Sequence, residues 1–371
     1  MHFLFLNQYG PPDPVPTARL LGELADSLRA GGHTVEILSQ NQSYHGRPAS
    51  GGRLKRELWA CWTILRAGWK RHGGKPDVVL ALSSPPGLLV VGALLAWRHR
   101  ARLTHWAMDL YPELALALGE VRRGGFAAHM VKTAMHWAYR RASLVVALDE
   151  DMHDHLQAFC RHEVRVAEPW LAPAVERQIE AVAPDRMSPP APWMWVYSGN
   201  LGRAHEWRTL LDAQARLEAR GLPIHLVFQG DGAAREPATA YAKQLGLRFC
   251  EWRGYVTESG LLSSLLDARV LIATQRPETR GLLWPSKLAL LERLPRPIIF
   301  VGPPLGAIAK RLHQRGDAGV FAPDQALLVA NWIEDLYLSP RDVFPVLRKH
   351  LWPMQKDECA KLARWLTKCA E

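Results

Sequence analysis

The sequence predicts an α/β protein made of two doubly wound domains, and three features predict it. The same local transition occurs twice, about half a chain apart: an apolar strand runs into a small-residue loop that opens onto an amphipathic helix. In the first copy Phe3-Leu4-Phe5-Leu6 leads through Asn7-Gln8-Tyr9-Gly10 to a helix from Pro16-Thr17; in the second Met194-Trp195-Val196-Tyr197 leads through Ser198-Gly199-Asn200-Leu201-Gly202-Arg203 to a helix from about Glu206. In both halves short β-rich runs alternate with helical stretches, the rhythm of a parallel sheet covered on both faces. The chain of 371 residues has the length of two ordinary domains, each with its own core. A strand ending in a glycine loop at a helix N-terminus leaves backbone N–H groups unpaired beside a partial positive charge, which suits an anionic group. Two such starts imply two nucleotide-fold domains facing one cleft.

In the first unit Leu20, Leu21, Leu24 and Leu28 fall on one helical face, Gly31-Gly32 stops the helix, and Val35-Glu36-Ile37-Leu38 reads as the next strand. Further strands are expected at Val78–Leu82, Leu103–Ala107, Leu144–Leu148 and Val164–Val166. Pro173 to Trp193, with Pro184, Pro189, Pro190 and Pro192 and few apolar residues, reads as the linker. Strands then resume at Met194–Tyr197, Ile224–Phe228, Phe249–Glu251, Val270–Ala273 and Ile298–Val301. The loops after them, including Gly230-Asp231-Gly232 and Arg253-Gly254-Tyr255, belong to one rim, because ligands of such sheets sit at the carboxyl ends of the strands. The domains are thus 1–172 and 193–350 with 173–192 between them, followed by a helical pattern at Leu362, Trp365 and Leu366 in 351–371.

The formal net charge of +10 points to an anionic partner without choosing among nucleic acid, anionic lipid and a phosphorylated small molecule. No nucleic-acid recognition module is recognisable, so nucleic acid is not an expected partner. The five cysteines are scattered, odd in number and without a Cys-x-x-Cys pair, which fits buried thiols in a reducing compartment. Phe3–Leu6 is too short for a signal-peptide core, and the apolar stretch from Val78 to Trp97 is broken by Ser83-Ser84-Pro85-Pro86. A soluble or peripheral cytoplasmic protein is expected.

Two segments invite a chemical reading. At Trp284-Pro285-Ser286-Lys287-Leu288 a proline and a small hydroxyl residue stand where a helix would begin, so Ser286 and Lys287 would bring a hydroxyl, a backbone donor and an ammonium to its positive end; the plainer alternative is a capped helix with a solvated lysine. From Arg53 to Lys75, Leu54, Leu58, Trp62, Leu65 and Trp69 recur at spacings of three and four among Arg53, Lys55, Arg56, Arg66, Lys70, Arg71 and Lys75. That pattern suits a helix lying on an anionic membrane surface, and equally a helix packed on the first sheet with a basic outer face. Asp149-Glu150-Asp151-Met152-His153-Asp154-His155 fits no common metal site and is read instead as the acidic first turn of a helix; no metal and no cofactor are expected.

Five stretches in the right order resemble glycosyltransferase family 4, in the branch that assembles colanic acid, O-antigen and exopolysaccharide: Tyr9-Gly10-Pro11-Pro12-Asp13 with Pro16-Thr17-Ala18-Arg19; His105-Trp106-Ala107-Met108-Asp109-Leu110-Tyr111-Pro112-Glu113; Tyr197-Ser198-Gly199-Asn200-Leu201-Gly202-Arg203-Ala204-His205; Gly230-Asp231-Gly232; and Pro285-Ser286-Lys287. The resemblance implies the GT-B fold, two Rossmann-like domains facing a central cleft, with the final 351–371 segment packing back on the N-terminal domain. It implies a retaining, metal-independent transfer of a hexosyl or N-acetylhexosaminyl group from a nucleotide-diphosphate donor, expected to be a UDP-sugar, to a lipid-linked surface glycan. Gly199 and Asn200 would approach the donor diphosphate, and Arg203, His205, Ser286 and Lys287 would neutralise it. Arg253 and Tyr255 would border the base, while Asp231 and Gly232 form the family's turn. Asp109, Gly10, Thr17 and Glu113 would lie on the acceptor side, and Asp109, Arg203 and Lys287 are the candidate catalytic residues. The expected location is the cytoplasmic face of the cell membrane.

The chain departs from the family at two glutamates, whose positions hold Arg280 and Leu290 with Glu278 and Glu292 each two residues out of register, and at the catalytic-loop histidine, replaced by Met108 beside Asp109. A second reading therefore stands beside the first: a catalytically degenerate GT-B protein that binds a nucleotide sugar or a partner enzyme.

Overall fold

The computed structural model describes residues 1–13, 15–40, 52–71, 73–121, 125–182, 192–339 and 355–371. The chain divides into two compact units, each with one six-stranded sheet whose described strand pairs are all parallel.

Unit 1 comprises residues 1–170, Gly281–Trp284 and the C-terminal helix. Its elements are β1 (His2–Leu6), α1 (Pro16–Ala30), β2 (Thr34–Leu38), α2 (Arg53–Lys70), β3 (Val78–Ala81), α3 (Leu88–His99), β4 (Arg102–Trp106), α4 (Glu113–Ala117), α5 (Phe126–Tyr139), β5 (Leu144–Ala147), α6 (Glu150–Gln157) and β6 (Val164–Val166). The sheet order is β2-β1-β3-β4-β5-β6. Phe3 to Leu6 and Val78 to Ala81 are wholly buried, because strands covered on both faces need apolar side chains at every position rather than at alternate ones. Helix α1 starts with Pro16 in its first turn, buries Leu20, Leu21, Leu24 and Leu28, and ends at Gly31.

Unit 2 holds α7 (Pro173–Glu180), β7 (Trp193–Ser198), α8 (Arg208–Ala219), β8 (Ile224–Gln229), α9 (Arg235–Gln244), β9 (Cys250–Arg253), α10 (Glu258–Leu266), β10 (Val270–Thr274), α11 (Leu288–Leu291), β11 (Ile298–Val301), α12 (Ala307–Arg315), β12 (Ala318–Phe321) and α13 (Ala326–Leu338). The sheet order is β12-β11-β10-β7-β8-β9. Its direction of winding reverses between β7 and β10, and the loops at that switch point are where a doubly wound sheet leaves a crevice. The last helix, α14 (Gln355–Ala370), packs against α1 in unit 1, with Leu362 and Leu366 buried.

Three local expectations need correction. The supposed linker begins with α7, which buries Ile179; the proline-rich 183–191 lies outside the described residues, as does Leu351. No helix starts at Pro285: a turn closes from Leu288 N–H to the Pro285 carbonyl, and α11 is a single turn, cut short before Leu294-Pro295-Arg296-Pro297. Strand β12 was not anticipated, since Ala318-Gly319-Val320-Phe321 is a weak β-former by itself and is fixed by pairing with β11.

Candidate functional site

The loop after β7 is held to the loop after β8 by backbone bonds. Gly199 N–H donates to the Gln229 carbonyl (2.8 Å), Leu201 N–H to Asp231 (2.7 Å), and Ala234 N–H to Leu201 (2.9 Å). Glycine is required at this junction: a Cβ on Gly230, whose φ is +136°, would stand 2.2 Å from the Gly199 carbonyl oxygen, and one on Gly232 would stand 2.5 Å from that of Leu201. Asp231 turns its carboxylate onto the Gly232 N–H (2.8 Å). The Gly-Asp-Gly turn is therefore a scaffold for the 199–201 loop. The Gly199 amide belongs to that scaffold, so Gly199 allows close backbone approach and does not supply a donor.

Lys287 lies beside this loop. A Cβ on Gly199 would be 3.7 Å from its Nζ, and the Nζ stands 3.2 Å from the centroid of the Tyr197 ring. The Nζ is buried with no hydrogen-bond partner, and burial holds its pKa well below the usual lysine value. This is not the solvated lysine of a capped helix. Tyr197 ties the group to the loop, its Oη donating to the Asn200 carbonyl (2.8 Å).

His205 stands edge-on to the Tyr197 ring (5.6 Å between centroids) with Nδ1 2.9 Å from the Thr274 carbonyl oxygen. A carbonyl accepts only, so the proton is on Nδ1. Burial, aided by Lys287, pushes the pKa down to about 3. At neutral pH His205 is uncharged, and the expectation that it neutralises an anion as a cation is corrected; what it offers is the lone pair on Nε2. Ser286, Arg203 and Asn200 are exposed around the same loop. Arg253 folds back onto Glu251 (2.7 Å), and Tyr255 is exposed, with its Oη 3.5 Å from the Asp231 carbonyl oxygen.

Arg235 was not singled out from the sequence. Its guanidinium donates to the carbonyls of Gly230 and Arg253 and lines a small recess with Tyr197, Gly199, Phe228 and Trp252, the last two rings stacked at 4.5 Å. Its position at the first turn of α9, after the Gly-Asp-Gly turn, was the available signal. Glu292 is buried and bound through both oxygens by Arg311 (2.9 and 2.7 Å), while Glu278 lies exposed near Arg276 (3.4 Å). Glu292 is thus committed to the core.

In unit 1 the corresponding loop is held by backbone bonds from Gln8 N–H to the Ser84 carbonyl (2.7 Å) and from Gln40 N–H to the Gln8 carbonyl (2.9 Å), and by side chains. Asn7 is buried, and its Nδ2 donates to the Tyr9 carbonyl (2.7 Å) and lies 3.5 Å from Thr17 Oγ1. Gly10 faces Ser39, whose Oγ a Cβ would meet at 2.5 Å. Asp109 forms an antiparallel bridge with Leu283, and Leu110 N–H donates to the Leu282 carbonyl (2.8 Å). His105 is buried, with Nδ1 2.8 Å from the Ala81 carbonyl oxygen and a pKa driven to about 4 by burial. Glu113 Oε1 stands 3.9 Å from His136 Nε2, and both atoms, like Asn7 Oδ1, His105 Nε2 and Trp106 Nε1, are buried without a hydrogen-bond partner.

Glu150 and Asp151 stand in the first turn of α6, as the acidic cluster implies, and Asp149 before them is its N-cap, accepting from the Met152 N–H at Oδ1 (2.8 Å). In α2 the buried face is Ala60, Ile64 and Gly68, while Leu58, Trp59, Trp62 (59% exposed) and Trp69 face outward. Arg71 leaves the basic surround: its guanidinium is 5% exposed and pairs with Glu36, because the chain turns there onto the edge of β2. The Arg53 and Leu54 side chains lie outside the described residues. Among the described residues no helix is long and apolar enough to cross a membrane.

No protein-family profile and no curated protein matches the sequence. Solved structures match the fold over nearly the whole chain. Sucrose-phosphate synthase from Thermosynechococcus elongatus superposes with a TM-score of 0.67 at 13% identity, covering 100% of this chain and 96% of that one. Anabaena HepE in complex with UDP-glucose gives 0.63 at 14% identity (99% and 98%), and WaaG, a glycosyltransferase involved in lipopolysaccharide biosynthesis, gives 0.63 at 17% (99% and 100%). At these identities the likeness shows the fold, and the chain's two parallel six-stranded sheets with their covering helices are of the GT-B class.

Proposed function

We propose that this protein is a glycosyltransferase that takes a sugar from a nucleotide-diphosphate donor, a UDP-sugar, and transfers it to a lipid-linked surface glycan. The observation that carries the proposal is the Lys287 Nζ, buried without a hydrogen-bond partner beside the Gly199 loop at the switch point of a GT-B unit. A buried polar group without a partner is costly, and a diphosphate oxygen is the partner an ammonium lacks. HepE, a protein of similar fold, is solved in complex with UDP-glucose and in complex with UDP, which supports the choice of donor.

Breaking the glycosyl–phosphate bond places charge on the departing diphosphate, and fixed cations there lower the barrier. Lys287 would act from within the site and Arg203 from its exposed rim. The proposed transfer retains configuration and uses no metal: the bond from C1 to the phosphate oxygen breaks, the acceptor oxygen bonds C1 on the same face, and the acceptor proton passes to the departing phosphate. Asp109 and Glu113 belong on the acceptor side. Incubating the protein with a panel of nucleotide sugars and a lipid-linked acceptor, with and without chelator, tests this. Transfer, or slow donor hydrolysis, unaffected by chelator is expected. Nucleotide-sugar binding without either would favour the degenerate reading suggested by the displaced glutamates.

The outer surface of unit 1 supports a location at anionic lipid. Nine of the sixteen exposed large hydrophobic residues described lie on α2, α3 and α5: Leu58, Trp59, Trp62, Trp69, Trp97, Phe126 (81% exposed), Met130, Val131 and Trp137. Helix α3 touches both of the others. The same three helices and their ends expose Lys55, Arg56, Arg66, Lys70, Arg98, Arg100, Lys132, Arg140 and Arg141. Apolar anchors ringed by cations are what an interfacial surface needs. Trp62 and Trp69 to serine, or Phe126 and Met130 to serine, should each move the folded protein from anionic vesicles to solution in co-sedimentation. Retention of both variants on the vesicles would remove this location.

A further inference from the structure

The surroundings of Lys287 suggest more than a binding cation, and this inference rests on the nucleotide-diphosphate reading of the same site. Three facts meet at Tyr197. Its ring carries the Lys287 Nζ at 3.2 Å, its Oη binds the Asn200 carbonyl in the loop where the diphosphate would lie, and its ring meets the His205 imidazole in a T-shaped contact. An aromatic face attracts an ammonium and accepts an N–H of a neutral amine more weakly, yet it offers no lone pair, so the Nζ is held in place in either state without being satisfied. Ring, loop and amine thus form one unit whose missing member is an acceptor.

We propose that Tyr197 is a positioning residue that parks the Lys287 amine beside the Gly199 loop, and that a diphosphate arriving there draws a proton from solvent onto it. The reaction balances as R–NH2 plus H+ giving R–NH3+, the new charge being matched by the anion. Before binding, burial favours the neutral amine; afterwards the anion favours the ammonium. The titratable groups facing Lys287 do not supply that proton or mask its uptake. His205 is neutral with its pKa near 3, and the Tyr197 phenol is raised well above its ordinary range by burial. The sign follows: a pKa lowered in the free protein and raised in the complex gives uptake between the two values, growing as pH rises above the lower one.

The test is calorimetry of UDP binding to the full chain in two buffers of different ionisation enthalpy, between pH 8 and 9, well above the secondary phosphate ionisation at about 6. Wild type should take up a substantial fraction of a proton per UDP, increasing with pH. Lys287→Met should abolish the uptake and weaken binding about tenfold or more. Tyr197→Phe keeps the ring and should keep the uptake; Tyr197→Leu, or the better-filling Tyr197→Met if the first does not fold, should lose most of it by letting water reach the amine. UDP binding without uptake, uptake that survives Lys287→Met, or uptake unchanged in the folded ring-deleted variant each overturns the inference alone. Inorganic pyrophosphate serves as a second probe, the last proton it carries itself being counted in the balance. If it binds with uptake and UDP does not bind, the nucleotide reading fails and this inference stands; if neither binds, both fall.

Discussion

The loops after β1 and β7 look alike in sequence and differ in how they are built. After β7 the main chain does the work: N–H groups of 199, 201 and 234 bind neighbouring carbonyls, Gly230 and Gly232 let two loops touch backbone to backbone, and a buried amine stands beside them over an aromatic ring. After β1 main-chain bonds also reach the neighbouring loops, from Gln8 N–H to the Ser84 carbonyl (2.7 Å) and from Gln40 N–H to the Gln8 carbonyl (2.9 Å), but no described glycine pair brings backbone against backbone. The side chains of Asn7 and Gln8 add to the hold, Gln8 by accepting from Ser84 Oγ (2.9 Å), and the buried unpartnered atoms described in unit 1 belong to amide, imidazole, indole and carboxylate groups. Under the proposed function one topology would serve two chemistries. A rigid loop beside a cation suits a diphosphate, whereas amide, imidazole, indole and carboxylate donors and acceptors suit the hydroxyls of a glycan.

The largest effect expected from this difference is on turnover. Lys287→Ala removes the interior cation and should cost about 2–4 kcal/mol of transition-state stabilisation, read as kcat/KM for sugar transfer, while the exposed Arg203→Ala should cost less. Equal and small losses in both would erase the special place of Lys287.

The next effect is on stability, and it separates the two loops. Gly230→Ala adds a Cβ against backbone at a positive φ and should destabilise by about 2–4 kcal/mol in denaturant unfolding. Gly10→Ala meets the Ser39 hydroxyl at 2.5 Å, which can turn away, and Ser39 Cβ at 3.0 Å, which needs only a small shift, and should cost less, about 1 kcal/mol. Similar costs at the two sites would show that the loops are built alike after all.

These distinctions were only partly legible in the sequence. The strands, their parallel order and the repeated loop follow from apolar runs and glycines, since period and burial are local signals. Tyr197 as a seat for Lys287 was not legible, because 90 residues separate them and nothing in either segment announces the contact. The Pro285-Ser286-Lys287 start misled for a related reason: proline and serine signal a helix, but the following Leu294-Pro295-Arg296-Pro297 allows only one turn. His205 reads as a cation by type and is neutral by burial. The outward stripe of α2 was visible as periodicity, while the partner face on α5 emerged only when α3 brought the helices together.

The smallest predicted effect lies away from both loops. Burial raises the Asp149 carboxyl to about 6 in the fold, above its ordinary value, so its contribution to stability is full at low pH and is lost as pH rises through about 6. Asp149→Asn keeps the cap without the charge and should match or exceed wild type in thermal stability at pH 7.5, whereas Asp149→Ala should lose about 1 kcal/mol. Loss of stability in the asparagine variant would mean that the charge itself stabilises α6.

The comparison between the loops is settled most directly by a crystal structure of the protein with UDP. Diphosphate oxygens within hydrogen-bonding distance of Lys287 Nζ, lying over Gly199, are the predicted result. Diphosphate bound instead among Asn7, Thr17 and Gly10 in unit 1, with Lys287 still on the Tyr197 ring and no anion beside it, would contradict the assignment.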